Sequence, residues 1–153
     1  MKEKFPYLGN DVLITQDMCD LNEHMNVIYY AKIFEDEFPF YDSLGFTSDY
    51  FKQGYSFFTL EMNIRYLKEM RKGEIASPCF RYFAVKPKLI HYGGVLLNES
   101  GEVSSITENV LIHVDMNTRK SCEMSDSTID LLKDMVAVHS ATGEIDFELR
   151  LKI

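Results

Sequence analysis

The sequence predicts an α+β domain in which an antiparallel sheet surrounds one long helix. Three observations carry that expectation. Apolar side chains from Val27 to Tyr41 recur every three or four residues, the period of a helix with one apolar face. From Tyr55 to Tyr66 the period shortens to two, that of a strand. Three further apolar runs follow, separated by turn residues such as Gly73 and Asn98-Glu99-Ser100-Gly101, as in a meander of strands.

In chain order, Asp11 to Ile14 makes a short strand, and a helix begins near Asn26. Val27, Tyr30, Ala31, Phe34, Phe38 and Tyr41 share its apolar face, while Lys32, Glu35, Asp36 and Glu37 lie off it or at its edge. Pro39 lacks the N–H a helix interior needs and should interrupt or kink the helix, with Gly45 as a C-terminal stop. A helix carrying Tyr29, Tyr30, Phe34, Phe38, Phe40 and Tyr41 demands an equally apolar sheet face. Phe58, Leu60, Met62, Ile64 and Tyr66 are expected to supply it, alternating with Phe57, Thr59, Glu61, Asn63 and Arg65. Ile75 to Val85 reads as a second long strand, with Pro78 marking an edge or a bulge. Leu89 to Leu97 is a third, and Val103 to Met116 a fourth. Ser125 or Ser127 can cap a closing helix whose face is Ile129, Leu132 and Val136. Residues 1–140 thus make one domain. Residues 141–153 form a tail whose alternating Ile145, Phe147, Leu149 and Leu151 fit an extra strand or a disordered extension.

Bulk properties narrow the function. The chain has 153 residues, 46% of them apolar and 26% charged, with a formal net charge of −8. That acidity argues against nucleic acid, whose binding rests on phosphate neutralisation. No apolar run reaches the roughly 20 residues that span a bilayer, so no membrane role is expected. Met1-Lys2-Glu3-Lys4-Phe5-Pro6 has no apolar signal core, so a cytoplasmic protein is expected. Cys19, Cys79 and Cys122 are far apart and lack metal-ligand spacing, so free thiols and no metal are expected. Arg65, Lys68, Arg71, Lys72, Lys86 and Lys88 form a local basic patch, which suits a phosphate-bearing ligand or simply a solvated strand end.

The stretch most suggestive of chemistry is Asp20-Leu21-Asn22-Glu23-His24-Met25-Asn26. Its polar residues Asp20, Asn22, His24 and Asn26 alternate, so an extended segment would point them to one side. They precede a helix N-terminus, where backbone N–H groups lack partners and favour negative charge. Asp20 could act as nucleophile or general base, with Asn22 and His24 orienting water or a carbonyl. Capping alone accounts for one such residue, but four exceed what a cap needs.

The run Cys19-Asp20-Leu21-Asn22-Glu23-His24-Met25-Asn26-Val27-Ile28-Tyr29-Tyr30 resembles the signature of the hotdog-fold thioesterases, the superfamily of the 4-hydroxybenzoyl-CoA and acyl-ACP enzymes. Phe58 to Glu69 is similar to the long strand after that family's helix, and Leu111 to Asp115 with Thr118 to Ser121 to its last strand and turn. Together these blocks, within roughly residues 10–140, look most like the betainyl-CoA thioesterase type. The resemblance implies a hotdog fold. It also implies hydrolysis of a small or medium acyl-CoA, with betainyl-CoA among the candidates, and with Asp20 catalytic, Asn22 and His24 supporting it, and a glutamate after the strand at Glu69. Glu61 competes for that last role, because it stands on the polar side of its strand with no basic run around it, whereas Glu69 lies among Lys68, Arg71 and Lys72. Asn26, Tyr29, Tyr30, Thr59, Arg65, Lys68, Lys86 and Lys88 are the candidate substrate-binding residues. No cofactor is expected beyond the CoA of the substrate, and the active form should be a homodimer or homotetramer. The alternative is a hotdog protein that binds acyl-CoA without turnover.

One departure stands out. In the betainyl pattern a glycine lies between the asparagine and the histidine, and here that place is Glu23. Tyr29, Tyr30, Phe57 and Phe58 could cage a quaternary ammonium or could simply be core. Of the remaining histidines, His113 reads as structural, His91 as lying near a close backbone approach at Gly93-Gly94, and His139 as exposed at a helix end.

Overall fold

The computed structural model describes residues 1–46 and 48–153, with the backbone alone at Asp42 and Ser43. Two short strands, β1 (Tyr7–Leu8) and β2 (Val12–Leu13), precede the helix α1 (Val27–Asp36). The helical turns α2 (Phe40–Ser43) and α3 (Ser48–Lys52) follow. Four long strands come next: β3 (Tyr55–Tyr66), β4 (Ile75–Lys86), β5 (Leu89–Leu97) and β6 (Val103–Asp115). The strand β7 (Lys120–Ser121) and the helix α4 (Asp126–Ser140) close the chain. The antiparallel sheet has the order β1-β4-β5-β6-β3, with β2 also on β4 and β7 on β6. β4 and β5 join through Pro87 and Lys88 alone, and Asn98 organises the β5–β6 turn by accepting from the N–H groups of Ser100 and Glu102. β1 and β2 pair with β4 on either side of Pro78, whose carbonyl accepts from Gly9. β4 is not an edge strand, so the expected edge position is not met; Pro78 stands instead in the gap between the two short pairings.

Asn26 starts α1 by accepting from the Ile28 N–H at 3.2 Å. The helix runs ten residues and gives way at Glu37. Pro39 is the cause, because it denies an N–H and pushes Phe38 out of the helical region. α4, capped by Ser125, is longer at 15 residues.

The chain's contacts gather in two compact units, each drawing part of every long strand. The first comprises Met1–Phe38, Ile64–Arg81 and Gly93–Thr107. In it α1 buries Tyr30, Ile33 and Phe34, and Phe34 meets Phe80 edge-on at 6.2 Å. A ring as buried as Phe34, 1% exposed, contributes about 2–3 kcal/mol by leaving water. Gly94 lets β5 approach this layer closely, for a Cβ there would meet Phe80 Cδ1 at 2.8 Å. The second unit comprises Pro39–Asn63, Tyr82–Tyr92 and Glu108–Ile153, and its core gathers Phe40, Phe46, Phe57 and Tyr82.

Three expectations are corrected. β3 does not present the Phe58 side as the buried face: Phe57 is 6% exposed, whereas Phe58 and Leu60 are 38% and 60% exposed. No layer covers the Phe58 and Leu60 row among the described residues, and β4 supplies Phe80 to α1 instead. His139 is buried rather than exposed. Its Nδ1 accepts from the Tyr82 N–H at 2.9 Å and its ring stacks on Tyr82. The alternating tail forms no strand among the described residues. The N–H groups of Arg150 and Leu151 instead donate to the buried Glu108 carboxylate at 2.8 and 3.1 Å, bonds to a side chain in place of a strand ladder.

Candidate functional site

The segment before α1 folds as a tight loop. Cys19 and Met25 bridge across it, the Asp20 N–H donates to the His24 carbonyl, and the Glu23 N–H donates to the Asp20 carbonyl. Met25 and His24 are tied to the chain after β3, through the Met25 N–H to the Met70 carbonyl at 2.7 Å and a bridge between His24 and Arg71. These ties set the start of α1 against residues 66–69. Between them lies a cavity of about 450 Å3 in the first unit.

Of the residues singled out from the sequence, Asp20, His24, Asn26, Tyr30, Lys68 and Glu69 line this cavity, beside Met25, Val27, Tyr66 and Leu67. The Asp20 carboxylate accepts from the Asn22 backbone N–H at 2.8 Å on one oxygen and from Asn22 Nδ2 at 3.3 Å on the other. His24 Nδ1 stands 3.8 Å from it. Glu69 accepts from Arg71 Nε at 2.8 Å and also from Arg71 Nη2. Lys68 donates to Glu102 at 2.6 Å. Tyr30 packs edge-on against Tyr66 at 5.2 Å, and burial pushes its phenol pKa up, so it stays a neutral donor.

Asn22 does not line this cavity. The loop turns rather than extends, so strict alternation fails there, and Asn22 faces a neighbouring cavity of about 520 Å3 with Gln16, Glu23, Arg71 and Lys72. Its role toward Asp20 is to hold the carboxylate. Gln16, Arg71 and Lys72 meet there only through the His24–Arg71 pairing, for which the sequence offers no local signal. Glu61, Thr59, Tyr29, Arg65, Lys86 and Lys88 do not line the Asp20 cavity either. Glu61 and Thr59 lie on the exposed stretch of β3. Three of the four aromatics weighed as a cage have separate neighbours. Phe57 stacks on Tyr50, Phe58 lies under the Arg119 guanidinium, and Tyr30 meets Tyr66.

A family model described as the thioesterase-like superfamily matches residues 14–132. The chain belongs to the thioesterase-like superfamily. Its curated relatives include L-carnitine dehydrogenase/betainyl-CoA thioesterases. That of Agrobacterium fabrum is 26% identical over 78% of this chain and 25% of its own length. That of Ruegeria pomeroyi is 29% identical over 78% of this chain and again 25% of its own length. The chain therefore spans about a quarter of these proteins. Among solved structures, a Staphylococcus aureus protein in complex with CoA superposes with TM-score 0.78 at 23% identity, covering 95% of each chain. The DHNA-CoA thioesterase of the same organism gives 0.77 at 20% identity, over 91% of this chain and 95% of that one. The fold is the hotdog fold.

In this thioesterase-like chain Glu23 carries φ +64°, a left-handed conformation that glycine adopts at little cost and glutamate does not. The buried histidines are engaged elsewhere. His91 Nε2 is 3.7 Å from Glu108, and burial holds its pKa below the ordinary value despite that carboxylate. His113 is 2% exposed, between the Tyr50 hydroxyl at 2.6 Å and the Cys122 carbonyl at 3.1 Å, and burial lowers its pKa as well.

Proposed function

We propose that this protein is an acyl-CoA thioesterase that works through Asp20. The observation that carries the reading is the convergence of Asp20, His24 and Asn26 on one cavity at the start of α1, in a chain of the thioesterase-like superfamily. Val27, as the first helical residue, has no intrahelical acceptor for its N–H. The thioester carbonyl oxygen is held there, where the helix dipole favours the charge that develops on it. Asn22 fixes the Asp20 carboxylate, which takes a proton from water as the hydroxide attacks the carbonyl carbon. Collapse of the tetrahedral oxyanion breaks the C–S bond, and the departing CoA thiolate recovers the proton from Asp20. Glu69 is the second carboxylate of the cavity, steadied by Arg71. Lys72 and Arg71, lining the adjoining cavity, meet CoA phosphates. The bound CoA of the Staphylococcus relative and the betainyl-CoA thioesterases among the curated ones support that class, with a small acyl group and betainyl-CoA first among candidates.

The acting unit is a homodimer at least. β3 is the open end of the sheet order and exposes Phe58 and Leu60, while Leu21, Val27, Ile28 and Leu67 stand exposed around the Asp20 loop. Thiol release from betainyl-, benzoyl- and medium-chain acyl-CoA, with wild type and Asp20→Ala, tests the reading. Turnover of at least one thioester that disappears in Asp20→Ala supports it. Full activity in Asp20→Ala, or CoA binding with no thiol release from any of them, overturns it.

A further inference from the structure

The second unit contains a cavity of about 220 Å3 that the proposed reaction does not use. Tyr50, Gln53, Tyr55, His113, Glu123 and Thr128 are among the residues lining it. Its acid–base state follows from the hydrogen bonds. His113 Nδ1 lies 3.1 Å from the Cys122 carbonyl, which can only accept, so Nδ1 carries the proton. His113 Nε2 is then an acceptor, and the Tyr50 hydroxyl donates to it at 2.6 Å. With its proton committed, the Tyr50 oxygen offers only lone pairs. Burial favours the neutral form of both groups, raising the Tyr50 pKa and lowering that of His113.

The aromatic groups form a panel. Tyr55 stacks with His113 at 5.3 Å and 26°, and Tyr50 and Tyr55 lie 6.0 Å apart. Tyr55 is 37% exposed, so a ligand can reach it. Among the described residues Glu123 is the only formally charged side chain of the lining, and no lysine or arginine belongs to it. Lys88 acts electrostatically on Cys122 but is not part of the wall. Aromatic rings, a committed phenol oxygen and one carboxylate give a cation several partners, facing the Ser125-capped start of α4 and the Gln53 amide on the rest of the wall. An anion finds no charged partner there, whereas a small cation finds both charge and π-face.

We propose that this cavity binds a small organic ammonium ion, with Glu123 and the Tyr50 oxygen as its polar partners and Tyr55 as its aromatic wall. The ammonium can be a free metabolite or a group carried on an acyl thioester, and the chemistry of recognition is shared. Calorimetric titration with choline, beside its uncharged carbon isostere 3,3-dimethylbutanol, separates charge from shape. Choline should saturate, the isostere should bind at least about fivefold more weakly, and Glu123→Gln should weaken choline about fivefold. Tyr55→Leu should do the same, with circular dichroism confirming its fold. Absence of choline binding below about 50 mM, equal binding of the isostere, or an unchanged isotherm in Glu123→Gln overturns the proposal. Where choline binds, competitive inhibition of betainyl-CoA hydrolysis assigns the cation to a substrate, and unaltered hydrolysis assigns it to a free ligand. The titration needs no turnover, so its failure is distinct from failure of the proposed reaction.

Discussion

Asp20 and Glu108 are both carboxylates that accept from backbone N–H groups, yet their surroundings differ in one decisive respect. The Asp20 side chain is 32% exposed at the wall of an open cavity, and its bonds to Asn22 orient it without enclosing it. Glu108 is fully buried, takes the N–H groups of Arg150 and Leu151 on one oxygen, and has His91 3.7 Å away. The same functional group is available for chemistry where a space remains in front of it, and is architecture where every approach is filled. Counting hydrogen bonds does not separate the two roles. Access does.

The comparison can be broken most sharply at Asp20. Asp20→Asn keeps the side chain's shape and should lower kcat about a thousandfold while thermal stability changes little. A single turnover in 18O-water should place the label in the product acid. Label recovered in the Asp20 side chain would instead make it a nucleophile. Glu69→Gln should cost about tenfold in kcat/KM and Glu61→Gln less than about twofold. The reverse ranking would move the second carboxylate to the exposed stretch of β3.

Glu108→Ala should show the opposite profile. It strands two backbone N–H groups in the interior and should destabilise the fold by about 3 kcal/mol in urea denaturation. The remaining folded protein should keep its turnover. The buried histidines extend the contrast to pH. His91 and His113 both lie below the ordinary value of 6.5 because burial penalises their charged forms. Near and below that value the unfolded chain binds more protons than the native one. Their contribution is therefore present above it and lost as pH falls. The thermal midpoint should drop between about pH 7.5 and about pH 5.5, and His113→Gln should flatten that dependence. The smallest expected effect is at Glu23. Glu23→Gly relieves the left-handed strain and should raise stability by up to about 1 kcal/mol.

Much of this arrangement was legible in the sequence. The Asn26 cap, the interruption at Pro39 and the bounds of β3 and β5 follow from local rules, because caps, proline and period two act over a few residues. Asp20, His24 and Asn26 share a cavity as their nearness to the helix start suggested. What escaped depends on contacts distant in sequence. Alternation shows that Phe57 and Phe58 face opposite ways, but not which of them is covered, since that depends on Phe40, Phe46 and Tyr50 packing on the Phe57 side. Asn22 turns aside because the loop closes between Cys19 and Met25. His139 is buried because Tyr82, 57 positions away, offers an N–H to it.

The pairing of β1 and β2 around Pro78 bears on how copies of the chain can assemble. That margin of the sheet is already occupied by two short segments, with a residue between them that cannot donate. The opposite margin, β3, is open. Edge-to-edge pairing through β3 would use up the long margin of each copy and leave only two-residue strands outward. Short outward strands are poor templates for a further copy, so this route favours a closed pair over an open-ended stack.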